Sequence, residues 1–110
     1  MSSLVVYDKE LADRIRGLIG AEPDLVERGM FGGLAFLVSG NMAVAASSEG
    51  GIMVRVEPAE TDRLVEFGGA HVVVMRGRRM RGWARVGSGQ LASRTALAQW
   101  VGRSVSYARS

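Results

Sequence analysis

The 110-residue sequence contains no cysteine, a single histidine and no apolar run long enough to span a bilayer. Without cysteine the chain has no disulfide bond, thiolate nucleophile or cysteine-ligated zinc, which is typical of a reducing compartment. A membrane-spanning helix needs about 20 consecutive apolar residues. Residues 1–6 also lack the basic and apolar regions of a secretion signal. We therefore expect a cytoplasmic protein that does not enter a membrane.

Motifs of common catalytic sites are also missing. The chain has no Gly-x-Ser-x-Gly nucleophile elbow and no Gly-x-x-x-x-Gly-Lys-Ser/Thr phosphate-binding loop. His71 begins a strand-like segment without an identifiable base, acid or metal ligand beside it, so we expect it to be structural. The carboxylates fall on solvent faces of predicted helices, which does not place two of them across a cleft. We expect no catalytic residue, no metal and no cofactor.

What the sequence does contain is a hydrophobic fraction of 47%, sufficient for one domain over residues 1–110. Its charge is divided unevenly. Residues 1–75 carry six basic and all 11 acidic residues, a net charge of −5, whereas residues 76–110 carry eight arginines and no acid, a net charge of +8. Two explanations remain open: the basic part binds a polyanion, an acidic protein or another copy, or the two parts balance each other within one molecule.

The periodicity of apolar residues predicts helices near both ends of the chain. Asp8 is a candidate N-cap for the first helix, which ends near Gly20, and Ser93 is a candidate N-cap for the last. Pro58 predicts the start of a short middle helix that ends near Phe67. The apolar stripes of the first and last helices are Leu11, Ile15, Leu18 and Ile19, and Leu97, Trp100, Val101, Val105 and Ala108.

Between these helices the sequence predicts short antiparallel strands. Residues 26–56 contain three or four of them, and two more, residues 71–75 and 80–86, are joined through Gly77. The order α-βββ(β)-α-ββ-α predicts a two-layer α+β domain, in which three helices pack against an antiparallel sheet of five to six strands. Alternation predicts that one strand face carries Met42, Val44 and Ala46.

The first candidate contact surface is the glycine-containing segment between the first two predicted strands. Its glycines permit either a tight bend or the close approach of a partner's backbone, and we favour the bend. The methionine and phenylalanine of the segment offer flexible apolar area to a second copy or another partner. The candidate partner or dimer contact consists of Met30, Phe31, Gly32 and Gly33.

The second candidate surface is an arginine-rich hairpin. Alternation places the arginines at 79, 81 and 85 on the same face as Trp83. Guanidinium groups suit phosphate oxygens and an indole suits a stacked base, although no recognition helix or zinc motif accompanies them. Alternatively, Trp83 is buried under a helix and the arginines reach water around it. The candidate interaction residues are Arg76, Arg78, Arg79, Arg81, Trp83 and Arg85.

Six short motifs follow one another between residues 7 and 109. They are Tyr7-Asp8, Arg28-x-Met30-Phe31-Gly32-Gly33, Asn41-Met42-Ala43, Met53-Val54-Arg55-Val56, Met80-Arg81-Gly82-Trp83 and the last helix with Trp100. Together they resemble the N-terminal domain of TfoX/Sxy-type competence regulators. The resemblance implies a secretion-chaperone-like two-layer fold, pairing into dimers, and regulation of DNA uptake together with transcription factors. The family's helical C-terminal DNA-binding domain is absent from these 110 residues, so we do not expect direct promoter recognition.

From this resemblance we expect a non-enzymatic regulatory or adaptor domain that acts through protein contacts. The expected partners are a transcription factor and a second copy in a homodimer. One alternative is a nucleic-acid-binding module that uses the hairpin of residues 76–85. A further alternative is a small-molecule sensor, with a pocket between sheet and helices lined by Met30, Phe31 and Met80.

Overall fold

In the computed structural model of the protein, which describes residues 7–30 and 32–110, six strands and three α-helices follow one another. This order confirms the predicted α+β class, with the larger of the two expected strand numbers. Two 3-10 segments, Pro58–Glu60 and Ser88–Leu91, precede the second and third helices. The elements are α1 (Lys9–Ile19), β1 (Leu25–Met30), β2 (Gly33–Val38), β3 (Asn41–Ala46), β4 (Ile52–Arg55), α2 (Thr61–Phe67), β5 (His71–Met75), β6 (Arg78–Val86) and α3 (Arg94–Arg109).

Both long helices begin at the residues that the sequence identified. The Asp8 side chain accepts a hydrogen bond from the backbone N–H of Leu11 at 3.0 Å, and Ser93 Oγ accepts one from Ala96 at 3.0 Å. Each bond satisfies an N–H that the first helical turn leaves without a partner. The two predicted N-caps are therefore confirmed.

The strands form one antiparallel sheet in the order β1-β2-β3-β4-β6-β5. The first four strands are a meander, whereas the last hairpin joins it through its second strand, so that β6 lies between β4 and β5. Two-residue turns close two of the hairpins. Ser39 and Gly40 have φ angles of 53° and 84°, and Arg76 and Gly77 have 53° and 77°. Positive φ at both turn residues matches the twist of the paired strands.

All three helices contribute to one core against one face of the sheet. Closely packed apolar side chains fill the space between the helices and the sheet. Examples are Phe36, Ile15 and Val101, each no more than 1% exposed. Met30 instead packs on the opposite face of the sheet. Met30 therefore does not line a pocket between the sheet and the helices together with Met80, as the sensor alternative expected, and Phe31 lies outside the described residues.

One strand face differs from its prediction. Val44 and Ala46 lie in the main core as expected, but Met42 packs on the other face of the sheet. The pairing shifts between Phe36 and Leu37, because Phe36 is opposite Val44 while Leu37 is opposite Met42. The extra residue, Ala43, enters the main core. The bulge reverses the face on which Met42 lies. A prediction from strict alternation assumes that a strand has no bulge, so it placed Met42 on the wrong face.

A search of the helices in the described part of the chain finds none with the length and hydrophobicity that crossing a membrane requires.

Candidate interaction surface

The face of the sheet that points away from the main core has its own apolar cluster, and we call it the open face. The cluster centres on Ala35, Leu37 and Ala45, with Met30 and Met42 packed against them. Every one of these residues belongs to a strand, so no helical residue in the described parts of the chain joins this cluster. A sheet with helices on one side leaves its other face to solvent or to a partner.

A groove of about 190 Å³ crosses the open face, and we call it the open-face groove. It extends from Met30 on one edge strand to Val74 and Met75 on the other, and Met53 lies between them. Methionine side chains are flexible and polarizable, so they adapt to partners of different shape. The polar rim includes Arg85 and Glu49, whose Nη1 and Oε1 atoms are 2.6 Å apart.

The two edge strands differ in how their outer sides are protected. In β1, Glu27 accepts two hydrogen bonds from Arg16 of α1, at 2.6 and 2.7 Å. These bonds lower the pKa of Glu27 and raise that of Arg16. Charged side chains of this kind discourage pairing at an edge. In β5, by contrast, Val74 is 56% exposed, and the strand reads His-Val-Val-Val-Met. The less protected edge is therefore β5.

The glycine-containing segment forms the bend that we favoured. Gly32 has a φ of 78°, and Met30 pairs with Gly33 across the hairpin. A Cβ atom at Gly33 would lie 2.2 Å from the carbonyl oxygen of Ala46, so this glycine allows the neighbouring strand to approach. Met30 lines the open-face groove, as the expected contact surface requires, while Phe31 is outside the described residues.

The arginines of the hairpin are mostly engaged within the molecule. Arg79 Nη2 lies 3.0 Å from Asp62 Oδ1, and Arg81 Nη2 donates to the carbonyl oxygen of Pro58 at 3.1 Å. Arg85 is paired with Glu49, as described above. Arg76 and Arg78 are exposed, and no hydrogen bond or ion pair joins the side chain of either to another described residue. Three cations of the hairpin, Arg76, Arg78 and Arg81, therefore have no acidic partner among the described residues.

Trp83 is half-buried on the face of the sheet that points away from the main core, since it alternates with the buried Gly82, Ala84 and Val86 of β6. It pairs across the sheet with Arg55, whose guanidinium carbon is 5.0 Å from the Trp83 ring centre. From the sequence, Arg55 belonged to the Met53-Val54-Arg55-Val56 motif but had no predicted contact role, and alternation places its side chain on the opposite side of the strand from the buried Val54 and Val56. Its aromatic contacts are with Trp83 and Tyr107, which are distant from it in sequence.

Ion pairs connect the acidic and basic parts of the chain. In four of them an arginine from residues 76–110 meets an acid from residues 1–75: Arg79–Asp62, Arg85–Glu49, Arg103–Glu60 and Arg109–Glu22. All four lie at the surface, where such a pair contributes about 0–1 kcal/mol. They favour internal balance as the explanation of the uneven charge.

Residues 7–30 and 32–110 contain no group of three or more His, Cys, Asp or Glu side chains able to hold a metal. The single histidine, His71, is exposed at the start of β5.

Comparison with known families agrees with the resemblance seen in the motifs. The sequence model of the TfoX N-terminal domain matches residues 18–108, from the end of α1 to the last turn of α3. No curated protein matches the chain. The matched region includes all six strands described above, and with them the open face.

Proposed function

This chain belongs to the TfoX N-terminal domain family, a family of competence-related regulators, and we propose that it acts as a non-enzymatic adaptor that binds a partner protein on the open face. The observation that carries the proposal is the open-face groove, which crosses a sheet whose other face already holds all three helices. Apolar area of this kind at a surface marks sites of association.

The chemistry of the surface favours a partner segment with apolar and acidic residues. Met30, Met53 and Met75 offer adaptable apolar contacts in the groove. The outer backbone groups of β5 can pair with an added strand, since β5 ends the sheet in the described structure. Arg76 and Arg78 follow β5 directly and are exposed, so acidic side chains at one end of such a segment would meet two cations.

A lysine on one edge strand provides a test. We expect Val74→Lys, in the middle of β5, to reduce partner binding at least tenfold, because a charged side chain would enter the groove and the pairing edge. Val26→Lys is the matched control, since Val26 is 47% exposed on β1 at the opposite edge. The measurement is crosslinked capture from the host cell with the wild type and both variants, quantified by mass spectrometry. Equal capture by all three proteins would rule out β5 and its groove as the binding surface.

The partner can also be a second copy of the chain. Size-exclusion chromatography with light scattering, at tens of micromolar, tests this directly. A dimer that Val74→Lys converts to monomer, and Val26→Lys does not, would place the second copy on the open face. A strict monomer would remove the homodimer from the proposal and leave a different protein as the partner.

Nucleic-acid binding has narrower support, because among the hairpin arginines only Arg76, Arg78 and Arg81 are exposed without an acidic partner in the described residues. It predicts an affinity that decreases with salt by about 0.9 logarithmic units per phosphate contact and per logarithmic unit of salt. The double variant Arg79→Ala/Arg81→Ala tests the larger surface expected from the sequence. Unchanged affinity and salt slope in a filter-binding assay would exclude those two arginines from contact.

A further inference from the structure

Arg55 differs from the other half-buried arginines of the described chain. Arg14 donates to the carbonyl oxygen of Leu91 at 2.7 Å. Arg16 donates to Glu27 and Arg85 to Glu49, each at 2.6 Å. Arg55 donates to no acceptor in residues 7–30 and 32–110, and its Nε is inaccessible to solvent. A buried N–H without an acceptor is uncommon and calls for a physical explanation.

Aromatic rings, and not an anion, hold this cation. The Arg55 guanidinium carbon lies 5.0 Å from the ring centre of Trp83 and 5.6 Å from that of Tyr107. Both distances are within the range of cation–π attraction. The ion pairs of the described residues do not include Arg55, so no carboxylate lies within 4.0 Å of its nitrogens there. The site therefore has a positioned cation without a counter-charge.

The guanidinium lines a depression of about 190 Å³ between the start of β3, the end of β4 and the last turn of α3, and we call it the Arg55 depression. Asn41 Nδ2 donates to the carbonyl oxygen of Ala108 at 3.0 Å, which fixes one wall against the end of α3. The wall also contains the Tyr107 side chain, whose hydroxyl group is a hydrogen-bond donor. The lining residues are Asn41, Met42, Arg55, Tyr107, Ala108 and Ser110.

We infer that the Arg55 depression binds a carboxylate group. The two terminal NH2 groups of a guanidinium form a planar pair of donors that matches the two oxygens of a carboxylate, and this pair does not require the enclosed Nε. Arg55 is the only cation in the lining, so it balances a single negative charge. The last turn of α3 also faces the depression, and the carbonyl end of a helix carries partial negative charge. That field opposes a doubly charged phosphate more than a carboxylate.

The inference does not depend on the proposed adaptor function, because the lining shares no residue with the open-face groove. The test is a titration of ¹⁵N-labelled protein with sodium acetate at constant ionic strength, followed through the two tryptophan indole N–H signals. Trp83 reports on Arg55, and Trp100 is an internal control, because Arg103 lies 5.4 Å from its ring centre but has Glu60 at 4.0 Å.

We expect the Trp83 signal to shift saturably with acetate, with a Kd of about 1–10 mM, while the Trp100 signal stays constant. Inorganic phosphate and chloride should bind at least tenfold more weakly, which corresponds to about 1.4 kcal/mol. Equal shifts of both indoles, or a non-saturating response that is the same for all three anions, would overturn the inference. This comparison uses the wild type alone, so it does not require any variant to fold.

Two substitutions localise the site. Arg55→Gln should abolish the saturable shift of Trp83, whereas Arg103→Gln should leave it unchanged. Loss of the shift in both variants would contradict the assignment to Arg55. A titration with N-acetyl-Ala-Glu-Ala-amide distinguishes the source of the carboxylate: binding at least tenfold tighter than acetate indicates an acidic side chain of a polypeptide, and equal or weaker binding indicates a free organic acid.

Discussion

Gly29 and Gly33 stand on opposite strands of the same hairpin, yet only one of them has no room for a methyl group. A Cβ atom at Gly33 would meet the Ala46 carbonyl oxygen at 2.2 Å, which is backbone and cannot rotate away. At Gly29 the nearest atom is 3.9 Å away, an ordinary contact distance. The difference is set by the neighbouring strand, so the glycines of this segment are not equivalent although the sequence presents them together.

We therefore predict that Gly33→Ala destabilises the fold by about 1–3 kcal/mol, the usual range for overpacking. Gly29→Ala is the control and should change stability by about 0.5 kcal/mol or less. Urea unfolding followed by circular dichroism measures both values. Similar stabilities of the two variants would contradict the close approach of β2 and β3.

A single buried hydroxyl connects α2 to the sheet. The backbone N–H of Gly82 donates to Thr61 Oγ1 at 2.9 Å, and Thr61 is 2% exposed. We predict that Thr61→Val costs about 1–3 kcal/mol, because it leaves that N–H buried without an acceptor. Thr61→Ser keeps the acceptor and should cost clearly less. Denaturant unfolding of both variants checks the order, and equal losses would indicate that packing of the methyl group matters more than the bond.

At the scale of elements, strand β1 depends on the first helix. Its residues from Val26 to Gly29 are exposed, so little apolar burial holds it to the sheet edge beyond its pairing with β2. The two hydrogen bonds from Arg16 to Glu27 connect this strand to α1. Since these bonds favour the charged carboxylate, they also make the attachment dependent on pH.

The sign of this dependence follows from the lowered pKa of Glu27. The stabilising contribution is present above the carboxylate's unfolded pKa and is lost as the pH falls through the lower folded pKa. We predict that Glu27→Gln removes part of the acid destabilisation, about 0.2–1 kcal/mol for a surface pair. Urea unfolding at pH 6 and pH 3 measures it. Glu66→Gln, an exposed carboxylate on α2, is the control; an equal effect there would argue against the pair with Arg16.

A structural feature could be predicted from the sequence when its interacting residues are close together along the chain. The caps at Asp8 and Ser93 act within three residues, and both were predicted. The displacement of Met42 arises from a bulge in the pairing of β2 with β3, and alternation within one strand does not contain that information. The cross-strand position of Arg55 beside Trp83 and Tyr107 likewise requires the register of the sheet and the docking of α3.

At the scale of the whole molecule, the charge distribution also depends on contacts between residues that are distant in sequence, which local patterns do not predict. The sequence showed that residues 76–110 hold eight arginines and no acid, but it left two explanations open. Arg79 meets Asp62 17 residues away, and Arg85 meets Glu49 36 residues away. Such distant pairs become visible only when the sheet is assembled. The family and layer arrangement were predicted from motifs and periodicity, whereas the open-face groove was not, because residues from all six strands line it.

The placement of β6 between β4 and β5 has a consequence for biosynthesis. A ribosome delivers β5 before β6, yet the free flank of β4 pairs only with β6. One flank of residues 52–55 therefore has unpaired backbone groups until residues 83–86 have emerged from the exit tunnel. Fragments that stop within the turn at residues 76–77 lack β6, so the backbone groups on this flank of β4 would stay unpaired. We expect such fragments to self-associate or to require a chaperone.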